Sequence, residues 1–264
     1  MCPEKENEEK TPEIQVDSAL TDKIKEMVKD KLLSQVSKGE KGMQLYEEGN
    51  IEEAIQEWEK VVKDDPEDGD TWQYLALAYH EKKDLENAIS AYKKAQELDP
   101  DDPDILKNLG KALYDGGNVE SAINQWKSAL KIDGDDAESW YYLAIGFEDT
   151  GNAKGAIEAY KILKKLEPEK HEILVNLGTL YLNGENQNLE EAKDCFTKAI
   201  ELEPDDPTSY YNLACAHALA GEADDATKLL SKVIEMAPDW KEDIKEDDDF
   251  NGIRDEVKFK KLLE

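Results

Sequence analysis

The side chains in this sequence that could do chemistry are runs of carboxylates, three histidines, three cysteines and one close pair of lysines. Acids gather at regular intervals in DDPEDGD, DPDDPD, DGDDAE and EPDDP. Stacked carboxylates suggest calcium, yet none of these runs has the alternating oxygen donors, central Gly and terminal Glu of a calcium loop. Helix capping accounts for them better, because a carboxylate at a helix N-terminus accepts free backbone N–H groups and favours the dipole. His80, His171 and His217 are too widely separated to converge as metal ligands within one chain. Cys2, Cys195 and Cys215 are an odd set without paired spacing, which fits a reducing compartment better than a disulfide framework or a metal site. Neither Cys195 nor Cys215 has a His or an acid at a spacing that would prepare a nucleophile, and GEKGMQ around Gly39 and Gly42 lacks the rest of a phosphate loop. The expectation is therefore a protein with no catalytic residues, no metal and no cofactor, and not an enzyme.

Charge narrows the partners. The chain has 63 acids against 33 bases, a formal charge of −30, and Arg254 is its one arginine. Such a surface repels phosphate backbones and anionic lipid, so neither nucleic acid nor membrane insertion is expected. No stretch approaches the roughly 18 apolar residues of a membrane span, and the first thirty residues lack a signal-peptide core, which predicts a soluble cytoplasmic protein. No apolar lipobox precedes Cys2, so an acyl anchor there is not expected either.

The elements that position these residues follow from a repeat. Pro66, Pro100, Gly134 and Pro168 are spaced by 34 residues, Pro204 follows after 36 and Pro238 after 34. At a fixed distance before each stand Ala54, Ala88, Ala122, Ala156, Ala192 and Ala226, each at the opening of a second helix. Earlier in each unit comes an anchor followed by a small residue: Leu75-Ala76, Leu109-Gly110, Leu143-Ala144, Leu177-Gly178 and Leu213-Ala214, with Lys41-Gly42 as a degenerate first copy. Small residues let helix backbones approach, while Trp58, Tyr92, Trp126, Tyr160 and Phe196 fill the space beside them. A longer period overlies this one: Trp58 recurs as Trp126 and Trp72 as Trp140, each 68 residues on, as if units one and two were duplicated in three and four.

The pattern of Trp72, Leu75, Ala76, Tyr79, Ala88, Tyr92, Ala95 and Pro100 resembles the tetratricopeptide-repeat family. The resemblance implies an all-α, right-handed superhelical solenoid of about six helix-turn-helix units and roughly 14 helices in all. The units span 35–68, 69–102, 103–136, 137–170, 171–206 and 207–240, so the array covers 35–238. Two extra residues in the fifth unit fall in GENQNLEE, between its helices, where they lengthen a turn without interrupting the stack. Stacked arrays need capped ends. Residues 1–17 read as disordered and polar, and 18–34 as an N-terminal capping helix with Thr21 as its N-cap and Ile24, Met27, Val28 and Leu32 on one stripe. Residues 239–264 read as C-terminal capping helices resembling a tail that follows many such arrays, with Phe250, Ile253, Arg254, Phe259 and Leu262 in place and Val257 where a proline is usual.

In this family the first helix of every unit lines a concave groove. Its inner positions here would be Met43, Tyr46, Gln73, Leu77, His80, Lys107, Lys111, Tyr114, Tyr141, Ile145, Glu148, Val175, Thr179, Leu182, Tyr211 and Cys215. His80 would then be a groove residue, His171 a turn residue and His217 a packed one. A groove with this much Tyr, Leu and Ile suits a peptide or helix of a client protein. Some family members clamp a C-terminal carboxylate with Asn and basic residues. Asn108, Asn176 and Asn212 are suitably placed, but Gln73, Leu77, Val175, Thr179 and Thr208 replace the bases, so the clamp is incomplete, although Lys107 and Lys111 could meet one carboxylate. The expected function is a non-enzymatic scaffold or adaptor. Two alternatives are a self-associating structural protein, its groove filled by its own N-terminal segment or by a second copy, and a regulatory subunit that docks through its tail.

Overall fold

The computed structural model describes residues 39–183 and 187–264. The expected disordered terminus, the N-terminal capping helix and part of the GENQNLEE turn lie outside the described residues.

Fourteen α-helices are present among the described residues. Twelve form six hairpins: α1 (39–47) with α2 (Ile51–Asp64), α3 (Gly69–Glu81) with α4 (Leu85–Leu98), α5 (Pro103–Asp115) with α6 (Val119–Ile132), α7 (Ala137–Asp149) with α8 (Ala153–Leu166), α9 (His171–Asn183) with α10 (Leu189–Leu202), and α11 (Pro207–Leu219) with α12 (Ala223–Met236). The short α13 (Lys241–Glu246) and α14 (Val257–Leu263) follow, with single 3-10 turns at Pro238–Trp240 and Asp248–Phe250. From α2 to α12 each helix packs on its neighbours in sequence, and α14 folds back onto α12. First helices of successive hairpins also meet one another, α3 with α5, α5 with α7 and α9 with α11, which makes them the tighter inner layer of a solenoid.

The acid runs do local work at the helix starts. Asp68, Asp102, Asp136 and Asp206 each accept backbone N–H groups as N-caps of α3, α5, α7 and α11, and Pro103 and Pro207 open two of those helices. Asp84, Asn152 and Asn188 cap second helices in the same way. The turn inside a hairpin needs one left-handed residue. Gly49, Gly117, Gly151 and Gly221 supply it in four hairpins, and Lys83 adopts φ 63° in a fifth.

The core repeats with the sequence. The six periodic alanines are fully buried, and Trp58, Tyr92, Trp126, Tyr160 and Phe196 are at most 1% exposed. A ring of this size removes about 150–250 Å² from water, worth about 4–6 kcal/mol at ~25 cal/mol/Å². The 68-residue period has a steric cause. The Trp126 indole lies directly on Gly110 and donates its N–H to the Lys107 carbonyl at 3.2 Å, and Trp58 lies on Gly42 and donates to the Gly39 carbonyl at 3.3 Å. A Cβ at either glycine would collide with the indole. Units two and four carry Ala76 and Ala144 there, with the smaller Tyr92 and Tyr160 opposite.

Past the extra residues of unit five the stack continues. Gln187 Nε2 donates to the Leu182 carbonyl at 2.8 Å and the Asn188 N–H to the Tyr181 carbonyl at 2.9 Å. One buried cluster then runs from Ala144 to Phe259.

Candidate binding groove

The inner face is built by three positions one turn apart on each first helix, so three side chains per unit point the same way. The third of these links the units. Tyr46 Oη donates to Glu81 at 2.5 Å, His80 Nε2 meets Asp115 at 2.7 Å, and Tyr114 Oη donates to Asp149 at 2.5 Å, each across 35 residues. The Asp149 carboxylate, then partial burial, push the Tyr114 phenol up to about 12. Burial, then Glu81, do the same for Tyr46, also to about 12. Unit four departs from the pattern, because Glu148 turns inward and accepts from the buried Tyr160 hydroxyl at 2.7 Å.

Beneath the rungs lie two matching aromatic cups. Tyr46, Trp58 and Tyr74 have centroids 5.8 and 5.7 Å apart, and Tyr114, Trp126 and Tyr142 repeat the arrangement at 5.9 and 5.6 Å. The second cup opens as a cavity of about 240 Å³ lined by Lys111, Tyr114, Asp115, Trp126, Tyr142 and Ile145. In the first cup Met43 stands in place of Lys111, and Leu77, 41% exposed, in place of Ile145.

The groove lysines are already matched. Lys107 Nζ is 3.1 Å from Asp104, 3.1 Å from Glu138 and 3.6 Å from Asp136. Burial opposes its charge, but the bonds to Asp104 and Glu138 outweigh it and hold its pKa above the ordinary lysine value. Lys111 Nζ reaches Glu138 at 3.4 Å and sits 4.9 Å over the Tyr142 ring. A free lysine pair waiting for a carboxylate is therefore not what the fold provides.

Of the expected inner residues, Met43, Tyr46, Gln73, His80, Lys107, Lys111, Tyr114, Tyr141, Ile145, Val175, Thr179 and Tyr211 are half-buried, while Leu77 and Glu148 are exposed. Two are corrected. Leu182 is 4% exposed and Cys215 2%, so both belong to the core and offer a ligand no surface. Leu182 joins the buried cluster that runs from Ala144 to Phe259, and Cys215 is covered by the C-terminal tail. Tyr211 is half-buried beneath that tail as well, bonded to the Asp247 carboxylate and held edge-on by Trp240 and Phe250. His171 opens α9 instead of sitting in a turn, and its Nε2 bonds Ser209 Oγ at 2.9 Å.

The spacing in sequence gave no sign that acids would surround Cys215. Asp247 and Asp249 return to it from the tail, the three ligand atoms lying within 4.8 Å of one another. Burial, then the neighbouring carboxylates, raise the Cys215 thiol far above its ordinary value, and burial raises Cys195 to about 11, which disfavours the thiolate at both.

Comparison with known proteins agrees with this architecture. The family profile described as the cytochrome c-type biogenesis protein H TPR domain matches residues 62–174, and two tetratricopeptide-repeat profiles match 171–206 and 195–228. The chain belongs to the tetratricopeptide-repeat family. Solved members superpose along the array. MamA shares 26% identity over 62% of this chain and 94% of its own, with a TM-score of 0.59. YrrB, described as a tetratricopeptide protein with an unusual peptide-binding site, shares 22% over 69% and 93%, with a TM-score of 0.62. The C-terminal part of a repeat-containing protein from Cytophaga hutchinsonii shares 21% over 85% and 92%, with a TM-score of 0.70. No curated protein matches the chain in sequence. No described helix is long and apolar enough to cross a membrane.

Proposed function

We propose that this protein is a non-enzymatic, cytoplasmic interaction scaffold that holds a peptide or helix of a client protein against the concave face of units two to four. The observation that carries the reading is the aromatic cavity between α5, α6 and α7, which opens on the inner face. Tyr114 and Ile145 at its edge and Tyr141 beside it are half-buried, so they keep contact area to give. At about 240 Å³ it falls below the roughly 300 Å³ at which small-molecule sites begin, and it suits one anchoring side chain of a larger partner. YrrB lends support as a relative of the same fold with a peptide-binding site.

The test places a photo-crosslinking residue at Tyr141 and, separately, at the outward Lys93, and identifies captured proteins from the native cell. Client adducts at Tyr141 and not at Lys93 are expected. Replacing Tyr114 and Tyr141 together with Ala should weaken the captured client's binding by about 2–4 kcal/mol, as for aromatic hot spots, with helicity unchanged. Adducts only at Lys93 would move the site off the groove. Adducts only to the chain itself would favour the self-associating alternative.

A further inference from the structure

Resting on that reading, we infer that the client segment is basic and amphipathic: one bulky apolar side chain enters the cavity under Tyr114, and Lys or Arg residues flanking it meet Asp115 and Asp149. The cavity selects the anchor. Trp126, Tyr142 and Ile145 supply aromatic and aliphatic walls, and the only charged groups lining it, Lys111 and Asp115, both belong to existing contacts. A second cation deep in the cavity would face Lys111 at close range, and a buried carboxylate would face Asp115, whereas an uncharged apolar group meets neither penalty.

The rim selects the flanks. Lys107 meets Asp104, Asp136 and Glu138, and Lys111 meets the same Glu138, so the groove's ammonium groups are spent on those three carboxylates. Among the described residues Asp149 takes a tyrosine hydroxyl bond and no ion pair, and Glu148 likewise, and a hydroxyl leaves the carboxylate's negative charge uncancelled. Asp115, whose side chain is 42% exposed, is held by one imidazole nitrogen. The mouth of the cavity is therefore an aromatic opening beside carboxylates, on a chain whose charge of −30 already draws cations toward it.

Three fluorescein-labelled nine-residue peptides test this against the full chain by anisotropy: lysines around a central leucine, lysines around a central alanine, and glutamates around a central leucine. A lysine peptide will associate weakly with any surface this acidic, so the deciding quantity is the ratio between the first two. The leucine peptide should bind at least tenfold tighter than the alanine peptide, and the glutamate peptide should not bind. Ile145→Trp, which fills the cavity, should abolish the leucine-to-alanine ratio. Asp115→Asn with Asp149→Asn should keep the ratio but flatten the salt dependence, while Asp101→Asn with Asp135→Asn, an equal charge change on the outer turns, should leave the salt dependence closer to that of the unaltered chain. Circular dichroism checks folding. If Ile145→Trp unfolds, Ile145→Lys, which brings a charge to the cavity wall, takes its place with the same expectation. Equal binding of the leucine and alanine peptides, binding of the glutamate peptide, or an unchanged ratio in the cavity variants would overturn the inference. Client adducts at Tyr141 alongside any of these results would leave the groove standing and reject only this chemistry, whereas adducts confined to Lys93 would remove the groove itself.

Discussion

The inner face of units one to four and the inner face of unit six carry equivalent positions, yet one is a groove and the other is core. Tyr141 and Tyr211 occupy the same place in their first helices. Both are half-buried, but among the described residues Tyr141 has only the neighbouring Tyr142 ring, at 6.1 Å, as a ring contact, whereas Tyr211 is pinned by Trp240, Phe250 and the Asp247 carboxylate. Ile145 edges a cavity while its counterpart Cys215 is shut in by Asp247 and Asp249. The difference is made by the tail, whose Phe250, Ile253 and Phe259 are at most 1% exposed and whose Arg254 guanidinium donates to the Lys245 and Asp247 carbonyls. Register along the repeat says which way a side chain points, and the neighbouring segment decides whether anything is left to bind.

The sharpest way to break this comparison is to remove the tail's anchor. Phe250→Ala should destabilise the C-terminal half by about 3–5 kcal/mol, the usual cost of deleting a fully buried aromatic ring. Tyr114→Ala, which deletes a half-exposed ring in the groove half, should cost far less stability. Because each unit leans only on its neighbours, hydrogen exchange in Phe250→Ala should rise in α11 to α14 and stay near native in α3 to α6. Equal loss of protection along the whole array would contradict local coupling.

The next effect concerns the alternation of glycine and alanine. Gly110→Ala would drive a methyl into the Trp126 indole and should cost about 1–3 kcal/mol by overpacking, a cost that opposes the usual helix preference for alanine. Ala144→Gly in the neighbouring unit should also destabilise, by about 1 kcal/mol, through helix propensity. Urea unfolding of the two variants distinguishes them further. Adding Trp126→Tyr should rescue Gly110→Ala in part by recreating the pairing of units two and four, whereas a Gly110→Ala chain as stable as the original would dismiss the steric account of the 68-residue period.

Two tyrosines at equivalent depth predict opposite signs. The Tyr92 hydroxyl is buried without a hydrogen-bond partner among the described residues, while the Tyr160 hydroxyl donates to Glu148 and accepts from Asn176 at 3.2 Å. Tyr92→Phe should therefore stabilise the chain by about 1–2 kcal/mol, and Tyr160→Phe should cost a similar amount. Thermal melts of the pair give the comparison directly, and a loss in Tyr92→Phe matching that in Tyr160→Phe would mean that the Tyr92 hydroxyl has a partner after all.

Much of this was legible in advance because repetition multiplies weak signals. The periodic alanines, the large rings and the capping aspartates mark hairpin after hairpin, so helix order and facing could be read from spacing alone. Two groove assignments failed for a physical reason: Leu182 and Cys215 have the right register, but Leu182 is taken into the buried cluster that runs on to the C-terminus and Cys215 is covered by the tail, which no repeat encodes. The lysine pair misled in the same way. Lys107 and Lys111 share a face with each other, but Glu138, the carboxylate they have in common, arrives from the next unit. The cups are partly visible in the sequence, since Trp58 and Trp126 recur at 68 residues, yet their tyrosine walls, Tyr74 and Tyr142, stand outside the family's motif positions, where spacing carries no signal for them.

The smallest predicted effect compares the start of unit six with the tail through pH. Asp206 caps α11. Burial works to raise its carboxyl, but bonds from Ser209 and Thr208 outweigh this and set its pKa below the ordinary value. A depressed carboxyl contributes stability that is full above its unfolded pKa near 4 and fades as pH falls through the lower folded value. Asp249, in the tail over Cys215, runs the other way. Burial, then the charge of Asp247, raise its carboxyl, so the folded chain takes up that proton before the unfolded one does. Its ionised form is a burden at neutral pH that is relieved as pH falls through the raised value. Asp206→Ala should cost about 1 kcal/mol at pH 7, as for the loss of an N-cap, and the deficit should shrink toward pH 3. Asp249→Asn should instead gain stability at pH 7, with the gain shrinking as the solution is acidified. Urea midpoints at pH 7, 5 and 3.5 measure both, and deficits of the same sign and slope in the two variants would show that the cap and the crowded tail do not oppose each other in this way.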